Sequence, residues 1–138
     1  GTYNWSDKKE TVTTGHPFTS RPYGMKFWYK YTPYQTDNFK VEIEIRSGNK
    51  VIAGGSYISE AASSADSEYQ EAYINLDYQG NMEKATDIYV NILSTTKTSF
   101  GSDDLQKAGT IDLTDCATGW TTHLGSRLKI DDLELIYE

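Results

Sequence analysis

The residues of this sequence best suited to chemistry are its aromatic side chains: eleven Tyr, three Trp and four Phe make up 13% of 138 residues. That is too rich for a disordered acidic tail and more than a small core requires. The negative face of an aromatic ring stacks on the C–H bonds of a pyranose, while flanking polar groups bond its hydroxyls. Phe27, Tyr29, Phe39 and Tyr78 fall on the apolar parity of their segments and are expected in the core. Tyr34, Tyr57, Tyr69 and Trp120 fall at strand ends or in loops, and Trp28, Tyr73 and Tyr89 fall on the outward parity. Those are the candidate sugar-stacking rings. Trp120 is foremost among them, because Thr118-Gly119-Trp120-Thr121-Thr122 combines the largest platform with a flexible neighbour and hydroxyl donors. Its alternative is to fold back as a lid on the core.

The usual catalytic constellations are missing. His16 and His123 are the only histidines, and neither lies in HExxH or beside GxSxG. No GxGxxG or GxxxxGK[ST] is present to cradle a phosphate. Glycoside hydrolysis needs two carboxylates facing each other across a cleft. Glu42 and Glu44, however, fall on the outward parity of a strand, and most other acids lie in polar stretches. Asp103-Asp104 and Asp131-Asp132 have the oxygen chemistry of a hard-cation site without the pattern of an EF-hand loop. Cys116 is the only cysteine, so neither an intrachain disulfide nor a thiolate metal cluster is available, and it reads as a small buried hydrophobe.

Charge excludes a further class. Twenty acids against thirteen Lys+Arg give a net charge of -7, which repels phosphate backbones and anionic membranes, so nucleic acid is not an expected partner. No apolar run approaches the roughly 20 residues of a membrane-spanning helix, and no span is expected. A chain of this length buries roughly two thirds of its unfolded surface, which suits one domain over residues 1–138 without disulfides. Gly1-Thr2-Tyr3-Asn4-Trp5 lacks the basic and apolar regions of a signal peptide, and an initial Gly points to a processed or excised piece.

The elements that must position these rings are strands, since the repeated signal is period-two alternation. Met25, Phe27, Tyr29 and Tyr31 alternate with Lys26, Trp28 and Lys30; Phe39, Val41, Ile43 and Ile45 alternate with Lys40, Glu42, Glu44 and Arg46. Val51–Ile58 reads as a strand whose Gly54-Gly55 predicts a bulge or a close backbone approach. Ala72–Tyr78 and Ile88–Leu93 alternate likewise. In the last strand Leu128 and Ile130 set one parity while Leu133, Leu135 and Tyr137 continue on the other, so a bulge at Asp131-Asp132 is expected to return both sets to the core. With further strands near Lys9–Thr14 and Thr110–Leu113 the count is about eight. No long amphipathic helix is predicted. Strands joined without helices pair antiparallel and stack, so the expected fold is all-β, an antiparallel β-sandwich of jelly-roll type. Three longer connections, Ser59–Gln70, Ser94–Gly109 and Thr114–Gly125, read either as a recognition surface at one end or as tolerated insertions. Arg21, between Pro17 and Pro22, either pairs with an acid such as those of Asp131-Asp132 or is a solvated surface residue.

Gly15-His16-Pro17-Phe18-Thr19-Ser20-Arg21-Pro22, then Phe27-Trp28-Tyr29-Lys30-Tyr31-Thr32-Pro33, and finally Gly125–Tyr137 with its Gly-Ser, Asp-Asp and closing Tyr, resemble the signature of the carbohydrate-metabolism domain family abbreviated PCMD. The resemblance spans roughly Gly15 to Tyr137, with His16 standing where an aliphatic residue is more usual. It implies a β-sandwich similar to glycan-binding modules. It also implies a C-terminal module of an exported lipoprotein of gut bacteria, at the cell surface or in the periplasm, with a further domain before it. It carries over no catalytic residue. Jelly-roll sugar-binding modules often hold a structural calcium near the last strand, which makes Asp131 the expected ligand if one is bound; no other cofactor is expected. The expectation is therefore a non-catalytic carbohydrate-binding-like module that retains a polysaccharide or oligosaccharide. A structural or protein-interaction sandwich of adhesin or scaffold type is the alternative, and a small glycoside hydrolase comes third.

Overall fold

The computed structural model describes residues 2–4, 9–11, 15–33, 36–60, 68–98, 105–107, 122–124 and 126–137; the short strands at 2–4, 9–11, 105–107 and 122–124 are described by their backbone alone. All regular structure among these residues is β, in eleven strands: β1 Thr2–Asn4, β2 Lys9–Thr11, β3 His16–Pro17, β4 Gly24–Thr32, β5 Lys40–Ser47, β6 Lys50–Ile58, β7 Gln70–Asn75, β8 Asp87–Leu93, β9 Leu105–Lys107, β10 Thr122–Leu124 and β11 Arg127–Ile136. Two sheets form the sandwich, a three-stranded one ordered β11-β4-β7 and a four-stranded one ordered β3-β8-β5-β6, antiparallel throughout. The pairs β1-β2 and β9-β10 stand as separate hairpins.

Following the chain, β3 lies in the four-stranded sheet and β4 in the other; the β5-β6 hairpin returns to the four-stranded sheet, and β7, β8 and β11 alternate between the two. Such winding with this strand order is that of a jelly roll. Seven of its strands are described where about eight were expected. The segment predicted near Thr110–Leu113 lies outside the described residues, as does Cys116. Near Lys9–Thr14 the described strand is Lys9–Thr11, paired with β1.

Period-two patterning builds the core as expected. Met25, Phe27, Tyr29 and Tyr31 of β4 point inward and meet Val41, Ile43 and Ile45 of β5, Ala72 and Ile74 of β7, and Phe39. Aromatic rings pack edge-on at the centre: Tyr29 on Phe39 at 4.7 Å between centroids and Tyr31 on Phe39 at 5.0 Å, geometry that satisfies the ring quadrupoles. Tyr31 donates to Ser94 O at 2.9 Å. Buried Asp37 accepts from Asn38 N at 2.8 Å, Ser126 Oγ at 2.7 Å and Thr96 N at 3.4 Å, so one carboxylate ties together the approach to β5, the exit from β8 and the approach to β11.

Three local expectations resolve in detail. The terminal strand carries a bulge one residue beyond the expected Asp131-Asp132: Asp131 still pairs with Trp28, the register to β4 shifts between Asp131 and Glu134 so that Asp132 and Leu133 oppose Phe27 alone, and Asp132 takes a left-handed φ of 48°. Leu128, Ile130 and Leu135 thereby pack on the core, but Leu133 and Tyr137 stay exposed, because the extra residue is absorbed at Leu133 itself and Tyr137 lies past the strand end. In β6 the ladder is regular through Gly54-Gly55, and the irregularity falls at Val51–Ala53, which turns both Ile52 and Ala53 inward. The glycine instead serves a close approach: a Cβ on Gly55 would stand 2.5 Å from Ile74 Cγ2 and 2.7 Å from Asn75 O, where β6 meets β7. In β8, Val90 and Ile92 register with Ile43 and Val41 on the inner side yet remain 38% and 43% exposed, since the facing sheet is one strand narrower among the described residues.

Two outcomes follow from this packing. Gly55→Ala is expected to destabilise the fold by about 1–3 kcal/mol, because both obstructing groups belong to a packed strand; urea denaturation measures it. Burial pushes the Tyr31 hydroxyl up from 10.0 to about 12, so the native state holds its proton more tightly than the unfolded chain. The associated stability is complete below pH 10 and is lost as the pH rises through about 12. Tyr31→Phe should flatten that alkaline loss and remove a late-titrating phenol from the ultraviolet difference titration.

Candidate aromatic binding face

The alternation that sends four β4 side chains into the core sends Lys26, Trp28 and Lys30 to the other face of the same sheet. Strand register places Trp28 at the centre, with Glu71 of β7 opposite on one side and Asp131 of β11 on the other. Lys26 lies between Tyr73 and Glu134, and its ammonium reaches Glu134 at 3.6 Å. Tyr69 precedes β7 and lies beside Lys30, whose Nζ stands 4.7 Å from the ring centroid. The face therefore carries Tyr69, Trp28 and Tyr73, spread over four residues of strand or about 13 Å. Tyr69 is 40% and Tyr73 48% exposed, and Trp28 is half-buried by its neighbours.

One local feature seats a ring. Gly24 occupies an outward position of β4, and a Cβ there would collide with the Tyr73 ring and hydroxyl. Without it the phenol end of Tyr73 rests over Gly24 of the neighbouring strand.

The opposite surface is of another kind. On the outer face of the four-stranded sheet Lys40 pairs with Glu42, Arg46 Nη2 meets Glu44 Oε2 at 2.5 Å, and Asn91 reaches Glu42 Oε2 at 3.3 Å. The hydrogen bond from Lys40 is the main reason that Glu42 is held below the usual carboxylate range. Tyr89 lies on this face under the Arg46 guanidinium, 4.1 Å from its centroid. Its charges are already neutralised and it carries a single ring, with Arg46 on one side as Lys30 lies on one side of Tyr69.

Of the residues singled out in the sequence, Trp28, Tyr69 and Tyr73 come together on one face. Tyr57 does not join them: it projects into the aromatic core, 5.9 Å from Phe27 and 5.7 Å from Phe39, with its hydroxyl 3.1 Å from that of Tyr29. This corrects its reading as a strand-end ring, because its register opposite Val41 gives it inward parity. Tyr34 and Trp120 lie outside the described residues. Arg21 is not paired with Asp131-Asp132. Its guanidinium stacks 4.4 Å from the Tyr78 centroid and donates to Glu83 O at 2.8 Å and to Asn81 O, fastening the 77–86 connection to the segment before β4. An open cleft of about 380 Å³ beside that connection, lined by Lys50–Ile52 and Tyr78–Asn81, offers one ring, Tyr78, against the three of the β11-β4-β7 face.

Asp131 is exposed, and its Oδ1 accepts from Asp132 N at 2.8 Å. Among the described residues no three carboxylate, histidine or cysteine side chains converge as a cation site. Calcium takes six to eight oxygens, so the described side chains around Asp131 do not fit it. Glu71 and Asp131 flank Trp28 across two strand spacings, about 10 Å between backbones, but on an open sheet surface rather than in a water-excluding cleft. Comparison with known proteins finds no matching family profile, no matching curated protein and no matching solved structure.

Surface and core rings should separate cleanly by stability. Tyr69→Ala and Tyr73→Ala are each expected to change the unfolding free energy by less than about 1 kcal/mol. Phe27→Ala should cost about 3–5 kcal/mol. Chemical denaturation of the three variants makes the comparison.

Proposed function

We propose that this chain is a non-catalytic carbohydrate-binding module that holds a polysaccharide across the outer face of the β11-β4-β7 sheet. The observation that carries this reading is the grouping of Trp28, Tyr69 and Tyr73 on one exposed face ringed by hydrogen-bonding side chains. Rings fixed on a rigid sheet bind at low entropic cost, because the platform exists before the ligand arrives. A pyranose stacked on Trp28 has the carboxylates of Glu71 and Asp131 on its flanks as acceptors for its hydroxyls.

The same reading takes the module as part of an exported, cell-surface or periplasmic polysaccharide-utilisation protein of the PCMD type. Its support is the sequence resemblance from Gly15 to Tyr137 together with the sandwich fold. The competing reading, a protein-interaction sandwich, draws on the exposed aliphatics Val90, Ile92 and Ile58, which suit a protein surface and not a sugar.

Affinity electrophoresis through gels containing plant and host polysaccharides decides between them. Trp28→Ala is expected to abolish retention by whichever polysaccharide slows the parent chain, with the melting temperature nearly unchanged. Retention that survives Trp28→Ala but is lost in Val90→Ser/Ile92→Ser would place the contact on β8 and overturn the aromatic-face reading.

A further inference from the structure

The charges on the aromatic face narrow the ligand class, an inference that rests on the glycan-binding reading. Lys30 of β4 and Lys129 of β11 are directly opposed in the ladder, and both point outward. Like charges in that position oppose pairing instead of aiding it. Arg127 occupies the next outward position of β11, about 7 Å along the strand. Three cations thus collect at the Tyr69 end of the platform in a chain whose net charge is -7.

Four other cations of the described surface, Lys26, Lys40, Arg46 and Lys50, each meet a carboxylate, and Arg21 is held by two backbone carbonyls and the Tyr78 ring. Among the described residues Lys30, Lys129 and Arg127 form no ion pair. Lys30 contacts the Tyr69 ring, which leaves its ammonium protons free to bond an anion lying over that ring. The acids of the face stand one row away, Asp131 and Glu71 beside Trp28 and Glu134 with Lys26. An anionic group is therefore repelled from the centre and drawn to the Lys30–Lys129 end. Screening limits each charge to about 8 Å at physiological salt, so the charges of this face, cations at one end and acids beside Trp28, set the potential a ligand meets, and the overall negative charge does not.

We propose that the ligand is an acidic sugar chain, its carboxylate or sulfate groups bound by Lys30, Lys129 and Arg127 while its pyranose rings stack on Tyr69 and Trp28. Arg127 can grip either oxyanion in a bidentate manner, and the two lysines serve as point charges.

The test uses the full chain in affinity electrophoresis and titration calorimetry with polygalacturonate, chondroitin sulfate, a neutral β-glucan and a neutral galactan, each at low and high salt. The expected result is binding to at least one acidic polymer about tenfold or more tighter than to the neutral ones, weakening as salt is raised. The acidic polymer preferred identifies carboxylate or sulfate as the anion. Lys129→Glu, an exposed position, should lower acidic binding about tenfold and leave folding and any neutral binding unchanged. Trp28→Ala should lower both. Equal binding of neutral and acidic polymers, or acidic binding indifferent to Lys129→Glu, overturns the acidic-ligand inference and leaves the glycan reading standing. Binding of no polysaccharide at all overturns both.

Discussion

Everything described here depends on the register of β4. Its inward residues, Met25, Phe27, Tyr29 and Tyr31, are the heart of the core, and its outward residues, Lys26, Trp28 and Lys30, are the middle of the aromatic face. A slip of one residue would exchange the two sets, burying two lysines and exposing four large apolar groups. No arrangement of the loops could repair that. The register is held from both sides, by β7 from Gly24↔Asn75 to Tyr29↔Gln70 and by β11 from Arg127↔Thr32 to Ile136↔Gly24.

The bulge in β11 belongs to the same constraint. Hydrophobic residues on both parities of one strand can face one core only where an extra residue is inserted. Placing it at Asp132-Leu133 lets Ile130 and Leu135 share the core. It also keeps Asp131 opposite Trp28 and Glu134 opposite Lys26 on the outer side. The position of a carboxylate beside the central tryptophan is thus a consequence of how the hydrophobic residues are seated.

The two outer faces of the sandwich show what charge does to a surface. On the four-stranded sheet, acids and bases pair along β5, Lys40 with Glu42 and Arg46 with Glu44, and leave little for a ligand. On the three-stranded sheet, aromatic rings replace part of that charge and the remaining cations cluster at one end. A ring with an open face and a cation without a carboxylate both gain from an added partner, whereas a closed ion pair must first be broken.

Much of this was legible in the sequence. The alternation over Met25–Tyr31 and Phe39–Arg46 already separates core from surface, and the phase slip after Ile130 already demands a bulge, because side-chain direction in a strand follows from parity alone. Trp28, Tyr69 and Tyr73 could be named as outward or strand-end rings on the same ground. Parity does not say which strands become neighbours, so only the β11-β4-β7 order brings Tyr69 and Tyr73 beside Trp28, and sets Lys30 against Lys129. Nor does it say where a ladder is irregular without a hydrophobic clue: the shift at Ile52 rather than at Gly54-Gly55, and the inward turn of Tyr57, are decided by pairing with β5. Arg21 shows the same division. Two flanking prolines mark its segment as a turn, but the carbonyls of Asn81 and Glu83 that receive it lie some sixty residues away, and only tertiary packing could bring them there.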